Sequence, residues 1–523
     1  MERGSLKAWY WVLVLAVLYI FVIAIPKITF PDLDHGDAWS DAYALNAAEN
    51  FINFGFVKLH FLPFVEANTV SSSSPYTHSP CLTAILNGFL GAIFKADALS
   101  FFRGISISVS FLALLSWFLF VRKFAKSSDI AFLSSIFYLA NPLFIFGADS
   151  LEIPYAELFK NLSFLIFMTM TLVNEGRKRW FWMALLYLLL FIQSLIDYES
   201  IVYFALFAIL FNVFIRNEER RLHIKEIIIL LTAPVLGFLI LFLRNSWYFG
   251  SFLIAFDDLR KTAIGGVAHR YDTSLPLNLF NWSKYVLANN FSLALLFDYS
   301  ILSVGVICCY FLYRPLPNAL KQRIKNLFFL ALLLTICGIG WYVLFPAHSL
   351  AHAFVLVLSR HLLPVAAIGF TIFILVIFFR IREGDGINLW LRLFLIGIIV
   401  SIALTGIIKS QLPITKARIE RSLDFLKFKE CLLLLKGMSR QEDEIGVNYY
   451  RSPFINYYTQ RHCRLIFDRA SLEQSKELPE YFILLPYADK DSKGLYQFVS
   501  QRYTRRFQCQ SWRFPAIFFE LRK

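Results

Sequence analysis

Apolar runs of about 17–25 residues, the length that crosses a bilayer as helix, recur along this chain. They fall near 8–26, 104–121, 130–147, 156–173, 180–196, 200–215, 226–243, 291–313, 326–345, 362–379 and 393–409. One further run, CLTAILNGFLGAIF at 81–94, is too short for a crossing and predicts a re-entrant or interface helix. Beyond residue 410 the pattern changes. An amphipathic helix over 417–436 precedes short apolar segments, EIGVN, RLIFD, YFILLP and AIFFELRK. These read as strands, with helical stretches at SPFINYYTQR and KGLYQFVSQRY between them. The pattern predicts two domains. Residues 1–409 form a polytopic α-helical membrane domain with a first outer loop at 27–103. Residues 410–523 form a small α/β domain.

Basic residues set the sidedness. RKFAK at 122–126, EGRKR at 175–179, RNEERRLHIK at 216–225, the 314–325 stretch with KQRIK, and RIREGDGINLWLR at 380–392 lie in alternate connections. With the N-terminus inside, all five face the cytoplasm, as the positive-inside rule requires. Eleven spans then leave the C-terminal domain outside. The first run, Trp9–Pro26, ends in IAIPKITFPD with no small-residue cleavage site and is expected to be an uncleaved anchor.

Composition agrees with this picture. The chain has 523 residues, of which 58% are hydrophobic and 17% charged. Mean hydropathy is +0.58. Such a chain cannot cover its surface with polar groups in water. The net charge of +14 would suggest nucleic acid in a soluble protein. Here it sits in the loops between spans, and no nucleic-acid motif accompanies it. Of the seven cysteines, Cys463 and Cys509 are candidates for an extracytoplasmic disulfide; spacing alone does not pair them. No Cys/His cluster has zinc spacing.

The polar residues that bear chemistry collect on the outer side. Asp32, Asp34, His35, Asp37 and Asp41 fall in one short stretch after the first span. An Asp there is suited to general-base work on an acceptor hydroxyl. The competing reading is a solvated loop in which Asp41 caps a helix starting at Ala42. A third is a hard-metal site, with Asp34, Asp37 and either His78 or Asp149 around magnesium or manganese. Asp149 and Glu152 lie just beyond the third span, where they either line the same cleft or form a turn before the fourth. His348 and His352 share a face if their segment is helical. Arg360 is placed either to hold a lipid-linked phosphate or to snorkel to the headgroups. Arg270, in AHRYD, is a further candidate substrate contact.

Several of these pieces match one pattern. The stretch DHGDAWSDAYALNAAENFINFGF at 34–56, then YTHSPCL at 76–82, the Asp149/Glu152 pair, and SRHLLP at 359–364 occur in this order. The chain resembles the GT-C superfamily of membrane glycosyltransferases. The nearest branch is that of protein O-mannosyltransferases and the lipid A aminoarabinose transferase. The resemblance covers roughly 1–409. It departs from the family in having Asp-His-Gly-Asp where many members place Asp-Glu together, and in Ser79-Pro80 after His78.

The resemblance implies transfer of a sugar from a polyprenyl-phosphate donor to a glycan, lipid or protein acceptor on the outer face, with inversion; no cofactor is assigned, and the divalent-metal reading stays open. It implies Asp37 as base with Asp34 as the alternative, and Asp149 and Glu152 assisting. His78, Asp41, His348, His352, Arg360 and Arg270 would contact substrate. The rival classes are a transporter or flippase, which would concentrate charge inside broken helices, an O-antigen polymerase or ligase, and an envelope scaffold.

Overall fold

The computed structural model describes residues 3–29, 38–64, 66, 75, 77, 80–96, 99–173, 176–214, 222–260, 317–344, most of 364–375, 426–448, 452–466, 468–475, 477–485, 492–510 and 516–522. In chain order the helices begin with α1 (Arg3–Tyr19), which continues through a π-helical turn at Ile20–Ala24 into Ile25–Thr29. Next come α2 (Ala38–Phe54), α3 (Leu82–Phe94), α4 (Leu99–Ala125), α5 (Ser128–Ala140), α6 (Pro142–Gly147), α7 (Ile153–Thr171) and α8 (Arg177–Ser194). These are followed by α9 (Tyr198–Phe214), α10 (Ile224–Phe249), α11 (Phe252–Arg260), α12 (Asn318–Leu344) and α13, over 426–438. The C-terminal region adds β1 (Glu444–Val447), α14 (Ser452–Thr459), β2 (His462–Leu465), α15 (Arg469–Glu473), β3 (Tyr481–Leu484), α16 (Ser492–Arg502), β4 (Tyr503–Cys509) and β5 (Ala516–Leu521).

Each expected span from 8–26 to 226–243, and that at 326–345, coincides with described helix, but 130–147 is broken. Asn141 is extended (φ −68°, ψ 127°) between α5 and α6. Pro142 follows it, and proline excludes helical backbone from the residue before it while fitting the first helical position itself. Among the described residues, Ala8–Ile28, Leu99–Ala125 and Ile224–Phe249 are long and apolar enough to cross a membrane. The expected spans at 291–313 and 393–409 lie outside the described residues.

The chain divides into two compact units. One comprises residues 1–26, 107–149 and 153–412; the other comprises 27–106, 150–152 and 413–523. The first outer loop, expected with the membrane domain, therefore groups with the C-terminal region.

The first unit packs helix on helix. Trp11 of α1 stacks on Phe132 of α5 at 4.0 Å and donates its indole N–H to Asp129 (2.8 Å). Phe164 of α7 meets Phe120, Tyr203, Phe204 and Phe207. Helices α8 and α10 meet at Gly237, where a Cβ would stand 1.8 Å from Ser194 Oγ. Small residues at such crossings let backbones approach closely. At the start of the same two helices, Arg179 grips Glu226 through two N–H groups, at 2.6 and 2.8 Å. This pair joins the first turns of α8 and α10.

The second unit has a five-stranded sheet of order β2-β1-β3-β5-β4. The first three strands are parallel; β5 runs antiparallel to both β3 and β4. Central β3 is buried throughout, as a strand covered on both faces must be. On one face, Phe482, Leu484, Phe519 and Ile517 pack against α15 and α16 through Leu472, Leu495 and Val499. On the other, Ile445, Val447, Ile483 and Phe518 pack with Phe428, Leu432 and Leu435 of α13, Phe454 and Ile455 of α14, and Ala42, Leu45 and Ala48 of α2. The first-loop helix thus shares a core with the C-terminal sheet.

Strand β4 was not anticipated: the expected helix at KGLYQFVSQRY runs straight into it. A bulge between Arg505 and Phe507 and an edge position expose its middle, which erases the alternation that marks a strand. No disulfide joins Cys463 and Cys509. Both are buried thiols, Cys463 donating to the Arg461 carbonyl and Cys509 to that of Lys427, each at 3.5 Å.

Candidate active site

Helix α2 follows directly on the acidic stretch. It starts at Ala38, not at Ala42 as a cap at Asp41 would require, so Asp41 lies in its first turn. There the carboxylate favours the positive end of the helix. Asp41 is fully buried. Its Oδ1 accepts the Leu151 N–H at 2.9 Å, and its Oδ2 lies 3.8 Å from the Arg103 guanidinium, itself 2% exposed. Asn87 of α3 donates to the Leu151 carbonyl at 3.4 Å. Both backbone polar groups of Leu151 are therefore held by side chains of the first outer loop. Next to Leu151 stands half-buried Glu152, whose N–H reaches Ser150 Oγ at 3.4 Å.

This arrangement brings together two of the acidic segments singled out in the sequence. Asp41, expected to touch substrate, instead spends its carboxylate on protein partners and has no exposed surface. Asp149, in the first unit, is also fully buried. Asp34, Asp37, His78, Arg270, His348, His352 and Arg360 lie outside the described residues. Among the described residues, no group of three His, Cys, Asp or Glu side chains could hold a metal ion.

Several polar groups were not anticipated. Arg103 carried a sequence signal, a lone cation entering an apolar run. So did Glu157 and Lys160, charged residues within an expected span. In the first unit, Lys160 is fully buried and donates to Glu157 at 2.8 Å; Tyr138 O–H donates to the other Glu157 oxygen at 2.7 Å, and Asn161 N–H to Tyr138 at 3.2 Å. Lys160 also lies over the Tyr203 ring, 5.7 Å from its centroid. An ion pair in an apolar bundle persists only when each charge is so matched.

A second set had no local signal. His462 of β2 is paired with Glu66 of the first outer loop, Nδ1 to Oε2 at 2.6 Å, and Cys463 N–H donates to the same oxygen at 3.3 Å. Glu444 lies 3.4 Å from the other ring nitrogen, Nε2, and 2.8 Å from Arg464. The hydrogen bond to Glu66 holds the His462 pKa above its usual value, against the opposing effect of burial. Asn46 of α2 donates to the Pro453 carbonyl at 2.9 Å, and Gln460 reaches Glu49 at 3.3 Å. The helix that follows the acidic stretch is thus fixed on one side by Leu151 and Arg103, and on another by α14.

No family model matches the chain, and no curated protein matches it. Solved structures do. ArnT from Cupriavidus metallidurans in the apo state is 12% identical, with 96% of this chain and 97% of that one covered and a TM-score of 0.46. The same protein bound to undecaprenyl phosphate gives 10%, 96%, 97% and 0.45. The apo Archaeoglobus fulgidus oligosaccharyltransferase is 11% identical, with 97% of this chain and 76% of that one covered and a TM-score of 0.49.

Proposed function

We propose that this protein is a membrane glycosyltransferase that moves a sugar from a polyprenyl-phosphate carrier to an acceptor hydroxyl on the outer face of the membrane. The observation that carries this reading is the Asp41–Leu151 contact. It ties the helix that follows Asp34 and Asp37 to the segment that bears Glu152, and residues 27–106 and 150–152 belong to one unit.

In this reading Asp37, or Asp34 in its place, takes the proton of the acceptor hydroxyl as its oxygen attacks the anomeric carbon. The new C–O bond forms as the bond to the phosphate oxygen breaks, and the electron pair leaves with the phosphate. Attack opposite the leaving group inverts the anomeric centre. Phosphate is already a good leaving group, so the chemistry asks for a base more than an acid. Glu152 and Asp149 assist from the second outer segment. His352 and Arg360 hold the carrier phosphate, and His78, His348 and Arg270 contact the sugar or acceptor. Asp41 positions the others without touching substrate.

Asp37→Asn tests this. The variant is expected to fold and to lose transfer by about a hundredfold or more, the range of general-base loss. Full activity in Asp37→Asn and in Asp34→Asn would remove the base from the scheme.

A further inference from the structure

Two thiols of the C-terminal region lie side by side. Cys509 ends β4, the edge strand next to β5, and is buried. Its Sγ donates to the Lys427 carbonyl of α13 at 3.5 Å. In a helix that carbonyl points at the residue one turn on, which is Cys431. Side chains tilt toward the N-terminus of their helix, so the Cys431 side chain leans back over the turn that holds the Cys509 thiol. Both pack in the same core cluster, and the Cys431 sulfur is within hydrogen-bond reach of Cys509. Cys431 is only half-buried, so a reagent can reach it. Cys463, by contrast, lies on β2, at the opposite edge of the sheet. Four spacings of about 4.8 Å between neighbouring strands put β2 and β4 roughly 19 Å apart, well beyond the ~7 Å between Cα atoms that a disulfide can span.

We propose that Cys431 and Cys509 form an oxidisable pair, which closes as a disulfide between α13 and the end of β4 when the folded chain meets a disulfide oxidant. The alternation of basic loops predicts an extracytoplasmic C-terminal region, the kind of compartment in which disulfides persist. Cys431 is the accessible partner and reacts first. Its thiolate attacks one sulfur of the oxidant's disulfide, and the other sulfur leaves as a thiolate. The Cys509 sulfur then attacks Cys431 Sγ. The new Sγ–Sγ bond forms as the mixed disulfide breaks, and the protons of the two cysteines end on the two thiols released. The cysteines are oxidised by two electrons and the oxidant is reduced by two. Burial raises the Cys431 pKa against the opposing contact with Cys509, and the thiolate is the attacking form, so closure quickens as pH rises. The bond ties an edge strand to the helix that packs on the sheet. The inference is independent of the glycosyl-transfer reading.

The test uses full-length folded protein, reduced and then incubated with oxidised glutathione. The reaction is stopped with acid, remaining thiols are alkylated in denaturant, and the tryptic digest is read by mass spectrometry without reduction. Trypsin releases Cys431 in the peptide 430–436 and Cys509 in the peptide 507–513. The expected product is these two peptides joined, two hydrogens lighter than their sum, with Cys463 recovered as an alkylated thiol. Cys431→Ala and Cys509→Ala should each abolish the joined peptide, and Cys463→Ala should leave it. The oxidised protein should melt several degrees above the reduced one, since a cross-link restricts the unfolded chain, and Cys431→Ala, at a half-buried position, should melt alike in both conditions. Recovery of 430–436 and 507–513 as separate alkylated or glutathione-capped peptides would overturn the inference. So would Cys431 joined to Cys463 or to a second copy of itself, which would mean that the two sulfurs do not meet in the folded chain.

Discussion

Replacing Asp41 separates positioning from catalysis within the acidic stretch. In Asp41→Ala, the Leu151 N–H loses its acceptor and the Arg103 guanidinium, 2% exposed, loses the carboxylate 3.8 Å away. Breaking a buried pair by removing one partner costs about 3–5 kcal/mol, and an orphaned buried N–H about 1–3 kcal/mol. The two share one side chain and do not add in full, so about 4 kcal/mol is a fair total. Asp41→Asn keeps an acceptor for Leu151 and the shape of the side chain but gives up the charge, and should cost less. The double variant Asp41→Ala/Arg103→Leu removes both charges and should recover part of the loss. Thermal midpoints in detergent, followed by monodispersity on size exclusion, read stability. Transfer per folded molecule reads function. The expectation is a midpoint that falls in the order Asn, then Ala, with rescue in the double variant and residual activity in whatever remains folded. A wild-type midpoint in Asp41→Asn together with loss of transfer as deep as that of Asp37→Asn would refute the positioning role and make Asp41 the base.

Three further expectations come from particular contacts. A His462 pKa raised above its usual value means that the Glu66 pair stabilises the folded state fully below about pH 6.5 and is lost as pH rises through the raised value. Backbone hydrogen exchange at 462–466 should therefore quicken with pH beyond its intrinsic base catalysis, and His462→Gln should abolish the extra dependence; an unchanged profile in that variant would remove the pair from stability. Gly237→Ala would place a Cβ 1.8 Å from Ser194 Oγ and should cost about 1–3 kcal/mol by overpacking; a midpoint equal to wild type would mean that α8 and α10 separate freely there. Arg179→Met leaves the Glu226 carboxylate without its bidentate partner and should cost about 3–5 kcal/mol, with the uncharged pair Arg179→Met/Glu226→Leu recovering most of it in the same melting assay.

The membrane helices were legible because a bilayer demands uninterrupted apolar length, and that is written locally. The break at Asn141-Pro142 was also written locally, in the proline, but it lies inside an apolar run that reads as one span. Strands β1, β3 and β5 showed as short apolar runs bounded by turn residues. Strand β4, with TRRFQ at its centre, did not. The grouping of the first outer loop with the C-terminal sheet was not legible at all. It depends on small residues of α2, Ala42 and Ala48, fitting against Phe454 and Ile455, and on pairs such as Glu66–His462 that are 396 residues apart. A carboxylate looks the same in sequence whether it faces substrate or, like Asp41, a backbone N–H 110 residues away. The acidic stretch could be read as chemistry, but the division of labour within it could not.

The central claim is donor use, and one measurement meets it directly. Purified protein in lipid nanodiscs is given short-chain polyprenyl-phosphate sugars with a hydroxyl acceptor, and free polyprenyl phosphate and the anomeric configuration of the product are followed together. The account predicts release of polyprenyl phosphate matched by an inverted product, both dependent on Asp37 or Asp34. No release from any donor in the panel by folded wild-type protein, or release that persists when both aspartates are replaced by asparagine, would contradict it.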